Sequence, residues 1–547
     1  MVHRVTFPWR DLPEALTIPL LKGGVGKLHL LHLAEAALGL AAADPHMAQF
    51  LVRFASDALL AAWEADPLEA RTCTQMLALH ESYPFLPKPV ARVAALVAPQ
   101  DQTPAETDEL RAILTARDAD ATCRYLDRMH RRDPANTFWT RQALFVGMAE
   151  GRHEWLRRWL HDVQTLPAPL REGFLGDLAL ADGEDATPHY EAALRGLPLL
   201  SWRVVLGEAR YRQGDREGAL ARWDEALARR AWQVNLLLRR HDVRHNIDLP
   251  AALPPGRGAV LLYTWNKADS LQLTLDSLFA SDLGDTPVIV LDNGSTDATP
   301  DVLRHWQNQR GAQLHTVTLP CNIGAPAARN WLLCLPETRA CDWLVFLDDD
   351  VEMPADWLRH FGAAMHHRPD HAIYGCRVVD HAVPAVLQSV DLHLDPGGPS
   401  GAANGSVPSY TRRFHVGDIH HQTLDYGQFS YQRPCVSVTG CCHLFRRSAI
   451  DARGLFDVRY SPSQYDDLEH DIRHALAGEL PLYHGHLRIL HMKRSGRATM
   501  TSPHQLASAW ANLYKLQMRY SADDYDAIRR AEHDALLADV VAKVEGQ

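Results

Sequence analysis

The sequence predicts an α/β domain built on a mostly parallel sheet, preceded by an all-α region and followed by a short helical extension. Three observations predict it. From about residue 27 to 245, Ala, Leu and Arg recur at helical spacing with turn signals between them. Beyond a Pro- and Gly-rich stretch from Leu249 to Gly258 the period changes, and short apolar runs alternate with helical segments. Each apolar run ends in a polar cluster, and the carboxyl edge of an open parallel sheet is where ligands bind. The expected boundaries are 1–250 for the helical region, 251–500 for the α/β domain and 501–547 for the extension.

Composition narrows the classes. The 547 residues are 46% hydrophobic and 22% charged, as in ordinary globular proteins, and suffice for several cores. A net charge of -11 lacks the basic footprint of a nucleic-acid binder. Met1 to Pro8 contain no apolar signal core, and no stretch reaches the roughly 18 consecutive apolar residues of a transmembrane helix, so no membrane-spanning segment is expected. The expectation is a cytoplasmic protein, with peripheral contact at the inner face of a membrane compatible with the same composition. Nine cysteines without C-x-x-C pairs point to reduced thiols.

In chain order, Lys22-Gly23-Gly24-Val25-Gly26-Lys27 imitates a phosphate-binding loop. Leu28 and His29 follow where that loop needs Ser or Thr for magnesium, and Pro19 spoils the strand it must leave. It reads instead as a glycine turn before a long helix. Turn prolines at Pro134, Pro167 and Pro198, 33 and 31 residues apart, suggest stacked helical hairpins. Leu206, Gly207, Tyr211, Gly214, Asp215, Ala219, Trp223 and Ala226 resemble one tetratricopeptide repeat. The resemblance implies a surface for a protein partner.

In the α/β part, strands are expected at Gly258–Thr264, Pro287–Leu291, Leu314–Leu319 and Trp343–Leu347, with helices at Ser270–Ser281, Thr299–Gln309 and about Ala325–Leu335. Asp348, Asp349 and Asp350 end the last strand, and Asp348 and Asp350 are close enough to share one divalent cation, Mg²⁺ or Mn²⁺. Asp292 at a strand end can accept from a base imide, while Gly294 lets the backbone turn tightly. Asp292 can equally serve only its own turn.

Taken together, Thr264-Trp265-Asn266, Asp292-Asn293-Gly294-Ser295-Thr296-Asp297, Asn322-Ile323-Gly324 with Arg329-Asn330, and Asp348-Asp349-Asp350 resemble the ordered motifs of family 2 glycosyltransferases of the GT-A fold. The resemblance covers roughly 257–500 and implies a Rossmann-like nucleotide-diphospho-sugar transferase. It implies donor contacts from Thr264, Asn266, Asp292, Asn293, Gly294, Asp297, Asn322, Gly324, Arg329 and Asp349, and a metal on Asp348 and Asp350. Asn293 stands where a second Asp is usual. Val438–Arg447, Gly454–Asp457 and Tyr465–Arg473 look like the family's later segments, which puts Asp467 at the general base, with Asp466 and Glu469 beside it. His491 matches a further metal ligand of some members. A haloacid-dehalogenase-like phosphatase reading fails because Glu352 stands where Thr or Val is needed.

Leu468, Ile472 and Leu476 give the acidic helix an apolar face. Asp395–Pro408 reads as a loop at an acceptor rim, and 503–547 as two amphipathic helices. The expected activity is inverting transfer of a sugar from a nucleotide-diphosphate donor, UDP-linked in the commonest case, to a hydroxyl of a glycan, lipid-linked or protein acceptor. The alternative is a repeat-based scaffold with a degenerate transferase domain.

Overall fold

The computed structural model describes residues 7–104, 107–400, 410–492 and 502–546. Fourteen helices between Glu14 and Arg244 make up the first half among the described residues. The first, Glu14–Lys22, precedes the glycine turn that leads into the long helix Lys27–Ala43, and it contains Pro19. Burial of Leu16, Leu20 and Leu21 offsets the one backbone bond that proline removes. Successive helices pack against one another, and the helix Leu200–Arg212 also touches Ala48–Ala65, so the row curls back on itself. Glu64 joins the turns, accepting from Ser201 N at 3.0 Å and from Arg230 Nη1 at 2.9 Å.

The best repeat has the packing its sequence suggests. Asp215 caps the helix Arg216–Leu227 by accepting from Gly218 N. Trp223 of that helix lies on Gly207 of the preceding one, where an added Cβ would sit 2.4 Å from the indole nitrogen.

The second half carries a sheet of ten strands. These are β1 (Gly258–Thr264), β2 (Val288–Asp292), β3 (Leu314–Thr318), β4 (Trp343–Leu347), β5 (Val351–Glu352), β6 (Ile373–Asp380), β7 (Leu387–Ser389), β8 (Gln432–Pro434), β9 (Cys442–Arg446) and β10 (Leu482–His491). The order is β8-β10-β6-β9-β4-β1-β2-β3, with β5 on β10 and β7 on β6. β4, β1, β2 and β3 are parallel, as expected of strands alternating with helices. β9 enters antiparallel between β4 and β6, and the far side is therefore mixed.

One face of the sheet is covered by Ala268–Ala280, Thr299–Arg310 and Trp357–His367. On the other face a continuous core joins the sheet to the helical half: Phe346, Phe445 and Tyr483 share it with Leu20, Leu21 and Leu237. The expected boundary near residue 250 is thus a change of architecture within one shared core. The helices Pro503–Arg519 and Ala522–Glu545 pack on the helix Asp466–Ala475 through Leu516, Tyr525, Ile528, Leu468 and Ile472. No helix among the described residues is long and apolar enough to cross a membrane.

The loop at Lys22–Lys27 is structural. Lys22 Nζ donates to Leu394 O at 2.6 Å and to Asp395 at 2.7 Å, which fastens the first helix to the α/β half, and Gly24 N donates to Asn235 of the helix Val234–Arg244 at 2.7 Å. Of the expected acceptor-rim loop, the part beyond residue 400 lies outside the described residues, as do Lys493–Ser495.

Gly207→Ala is expected to cost about 1–3 kcal/mol through overpacking against Trp223. A melting temperature equal to that of the wild type would contradict this packing.

Candidate functional site

Strand register levels the site. Thr264 pairs with Asp292, Asp292 with Thr318, and Leu262 with Leu347, so the polar residues that follow these strands emerge along one edge. β4 is buried throughout, and the next three residues are carboxylates. His491 comes from far away in the chain. Its pairing with Val351 across β5 and β10, reinforced by Met492 N donating to Asp350 O at 2.8 Å, sets it beside Asp350.

Asp348, Asp350 and His491 offer ligand atoms that all lie within 4.8 Å of one another. His491 Nε2 is 3.0 Å from Asp350 Oδ1, and Lys267 Nζ donates to Asp350 Oδ2 at 3.0 Å. His491 Nδ1 lies 2.8 Å from Gln388 Oε1, an acceptor, which assigns the ring proton to Nδ1 and turns the Nε2 lone pair toward Asp350. Two lone pairs facing at that distance require a proton or a cation between them. Burial opposes the Asp350 carboxylate, but His491 and Lys267 outweigh it and bring its pKa to about 2. Burial and the neighbouring Asp350 charge push Asp348 upward and raise Asp349 to about 7. A divalent cation would relieve this crowding, and two carboxylates with one oriented imidazole suit it.

The donor-side loops interlock. Asp292 is buried, and its Oδ1 accepts from Ser295 N at 2.9 Å, so it serves the turn. Asn293 donates to Asn322 Oδ1 at 3.0 Å and accepts from Ile323 N at 3.0 Å, while Asn322 also accepts from Gly324 N at 2.8 Å. Gly294 has φ +78° and a Cβ there would lie 2.6 Å from the Cys321 backbone, so neither the turn nor the spacing tolerates a side chain. Asn266 accepts from Thr296 N at 2.7 Å, and Thr264 O accepts from Asn293 N at 2.9 Å. Asp297 accepts from Thr299 N at 3.0 Å and Ala268 N at 3.2 Å, which joins two helix starts. These contacts form a rigid cradle at the strand ends.

Two expected site residues have other partners. Arg329, expected at the donor, is enclosed by Tyr263, Phe346 and Phe456 and donates to Asp466 Oδ2 at 2.7 Å. The aromatic box draws the guanidinium inward, to a buried carboxylate. Glu469 is fully buried, accepts from Tyr520 Oη at 2.7 Å and pairs with Arg473 at 3.1 Å, so it braces the helix and does not join the acidic cluster.

Asp466 and Asp467 open the helix Asp466–Ala475 after Gln464 and Tyr465, both with positive φ. Such residues persist only where their surroundings over-determine them. Asn512 supplies that support: its Nδ2 donates to Tyr460 O at 2.7 Å and Ser463 O at 2.9 Å. Asp467 Oδ2 accepts from Gly440 N at 2.8 Å, next to the Gly440 carbonyl that Arg329 also contacts. Lys267, Gln388 and Asn512 escaped the sequence reading, whereas Gly440 lies in the Val438–Arg447 segment it singled out. Lys267 adjoins the Thr264–Asn266 motif and was the one within reach of it; the others are brought in only by tertiary contacts.

Residues 259–454 match the family model described as Glycosyl transferase family 2. No curated protein matches the chain. Among solved structures, GalNAc-T7 with UDP, GalNAc and Mn²⁺ aligns at 12% identity and TM-score 0.35, covering 50% of this chain and 49% of that one. A mannosyltransferase from Pyrobaculum calidifontis in complex with GDP-Man and Mn²⁺ aligns at 17% identity and TM-score 0.36, covering 60% and 86%. TarS of S. aureus aligns at 15% identity and TM-score 0.31, covering 43% and 37%. The chain thus spans about half of the first of these and less of the last. The segment from 259 to 454, with its strand-end loops and Asp348–Asp350, is a glycosyltransferase domain of family 2.

Proposed function

We propose that the protein is an inverting, metal-dependent glycosyltransferase that moves a sugar from a nucleotide-diphosphate donor, UDP-linked in the first instance, to an acceptor hydroxyl. The convergence of Asp348, Asp350 and His491 at the carboxyl edge of a family 2 domain carries this reading. Asp348, Asp350 and His491 would hold Mg²⁺ or Mn²⁺, and the imidazole favours Mn²⁺. When bound, the ion supplies positive charge to the diphosphate oxygens as they leave.

The chain's own groups account for the rest. Asp292, Asn293, Gly294 and Asn322 form the cradle for the nucleoside, with Thr264 and Asn266 at its wall. Lys267 adds a cation beside the diphosphate. Asp467 takes the proton of the acceptor hydroxyl as that oxygen bonds to the anomeric carbon, while the bond from that carbon to the diphosphate oxygen breaks and its electron pair leaves with the diphosphate. One displacement inverts the anomeric centre. Burial raises the Asp466 pKa to about 6, Arg329 offsets part of that rise, and the pair positions the helix start beside Asp467. The acceptor is a hydroxyl of a glycan, lipid-linked or protein substrate, and the helical half is the surface for a protein partner.

A panel of nucleotide sugars, screened by thermal shift with and without Mn²⁺, identifies the donor, because ligands that bind the folded state raise apparent stability. Metal-dependent donor hydrolysis separates an enzyme from a scaffold carrying an inactive domain. Mn²⁺ is expected to raise the melting temperature of the wild type and not of Asp350→Ala; an equal rise in both would remove Asp350 from the metal site.

Asp467→Asn is expected to lower kcat by at least ~10²-fold with the fold intact, the low end for a general base. Asp466→Asn strips a buried charge from Arg329 and is expected to destabilise strongly, toward the ~3–5 kcal/mol of a broken buried pair. If Asp467→Asn is mild and Asp466→Asn leaves stability untouched while stopping turnover, the base is Asp466. Asn512→Ala is expected to lower kcat while leaving the donor-induced thermal shift unchanged. Equal losses in both would mark Asn512 as a residue of general stability.

A further inference from the structure

Where the helical half meets the sheet, the two surfaces leave a cavity of about 340 Å³. Glu208, Arg212 and Arg239 line it from the helices, and Arg377, His486 and Arg488 from β6 and β10. The charges there do not balance. Glu208 is shared by Arg212 at 3.2 Å and Arg239 at 3.1 Å. Arg377 has Asp425 at 3.0 Å. The other acid of the lining, Asp248, is taken by Arg216 and by Tyr211 Oη, each at 2.6 Å, and His486 faces Asp242 at 3.0 Å. Arg488 has no carboxylate partner among the described residues.

Arg488 pairs with Arg377 directly across the parallel ladder of β10 and β6. Like charges opposite each other on neighbouring strands are destabilising, and no packing gain explains an arginine at an exposed position there. Arg239 and Arg377 are both buried and line the cavity. Arg239 is held in place by the Tyr211 ring, 4.2 Å from its guanidinium. The site is therefore partly built in advance: the guanidinium forks of Arg239 and Arg377 are held by their partners, and an excess of positive charge surrounds an open volume. Planar forks of this kind recognise phosphate oxygens in pairs.

We propose that this cavity binds a phosphate group, free or carried on a sugar-sized body, with its oxygens taken by Arg377, Arg488 and Arg212. The volume is that of about ten water molecules, larger than a bare phosphate requires, which favours the carried form. The site is distinct from the metal cluster. Arg488 lies three residues before His491 on β10, and an odd spacing on a strand turns the two side chains to opposite faces. The cavity lining shares no residue with the metal cluster.

The test uses the full chain in buffer with EDTA, which removes the metal site as a phosphate ligand. Inorganic phosphate and glucose 1-phosphate are each titrated against melting temperature, with sodium chloride at matched ionic strength as the reference. Both are expected to raise the melting temperature of the wild type above the salt reference. Arg488→Gln, at an exposed position outside the catalytic machinery, is expected to fold, to melt no lower than the wild type without phosphate, and to lose roughly tenfold or more in phosphate affinity, as for one charged hydrogen-bond partner. Asp350→Ala is expected to respond to phosphate as the wild type does. Stronger binding of glucose 1-phosphate identifies a phosphate on a sugar-sized body, and equal binding identifies the free anion. A response no larger than that of salt, an unchanged response in Arg488→Gln, or loss of the response in Asp350→Ala overturns the proposal.

Discussion

One buried carboxylate joins the three parts of this molecule. Asp242, on the helix Val234–Arg244, accepts from the backbone of Gln432 in β8 at 2.6 Å and faces His486 of β10 at 3.0 Å and Lys543 of the last helix at 3.8 Å. Burial alone would neutralise it. Lys543 and the histidines on either side of it hold its pKa far below the usual carboxylate range instead. A charge so placed is stabilising only while all its partners are present, and removing one leaves the others uncompensated. Arg433 repeats the device nearby, donating to Leu21 O and Lys22 O of the first helix at 2.7 and 2.8 Å while facing Asp391. The orientation of the helical half on the sheet follows from these polar anchors as much as from the apolar core around them.

The same economy of means organises the site. Parallel register levels the strand ends, and two turns then lock to each other through Asn293 and Asn322. On the opposite side, a strand from late in the chain delivers His491, and a helix from later still props the turn ahead of Asp467. Each element that carries a candidate site residue is thus held by one that does not. Catalysis depends on preorganised groups, and this arrangement supplies them at the cost of strain at Gln464 and Tyr465.

Much of this was legible because it is local. The run Trp343–Leu347 is apolar on both faces and can only be an interior strand, and the carboxylates after it can only lie at its carboxyl end. The change of period near residue 250 located the α/β half, and Leu468 and Ile472 announced the buried side of the acidic helix. What was not legible depends on pairing across long separations. Arg329 reads as a cation free to meet a phosphate, and nothing nearby in sequence reveals the three rings that enclose it. Glu469 looks like its neighbours Asp466 and Asp467, yet helical geometry turns it toward Tyr520. The antiparallel entry of β9 and the core shared across the boundary at 250 are likewise invisible to a pattern read one segment at a time.

The end strand β8 has three residues, is followed in the order by the longest strand of the sheet, and has its open side covered by the helices Val234–Arg244 and Ala522–Glu545. An uncovered sheet edge invites pairing with other chains. Because a chain leaves the ribosome from its N-terminus, the first of those covering helices is synthesised before β8 or β10. The helix that shields this edge is thus already part of the chain when the edge strand is made, so the edge has its cover available from the start.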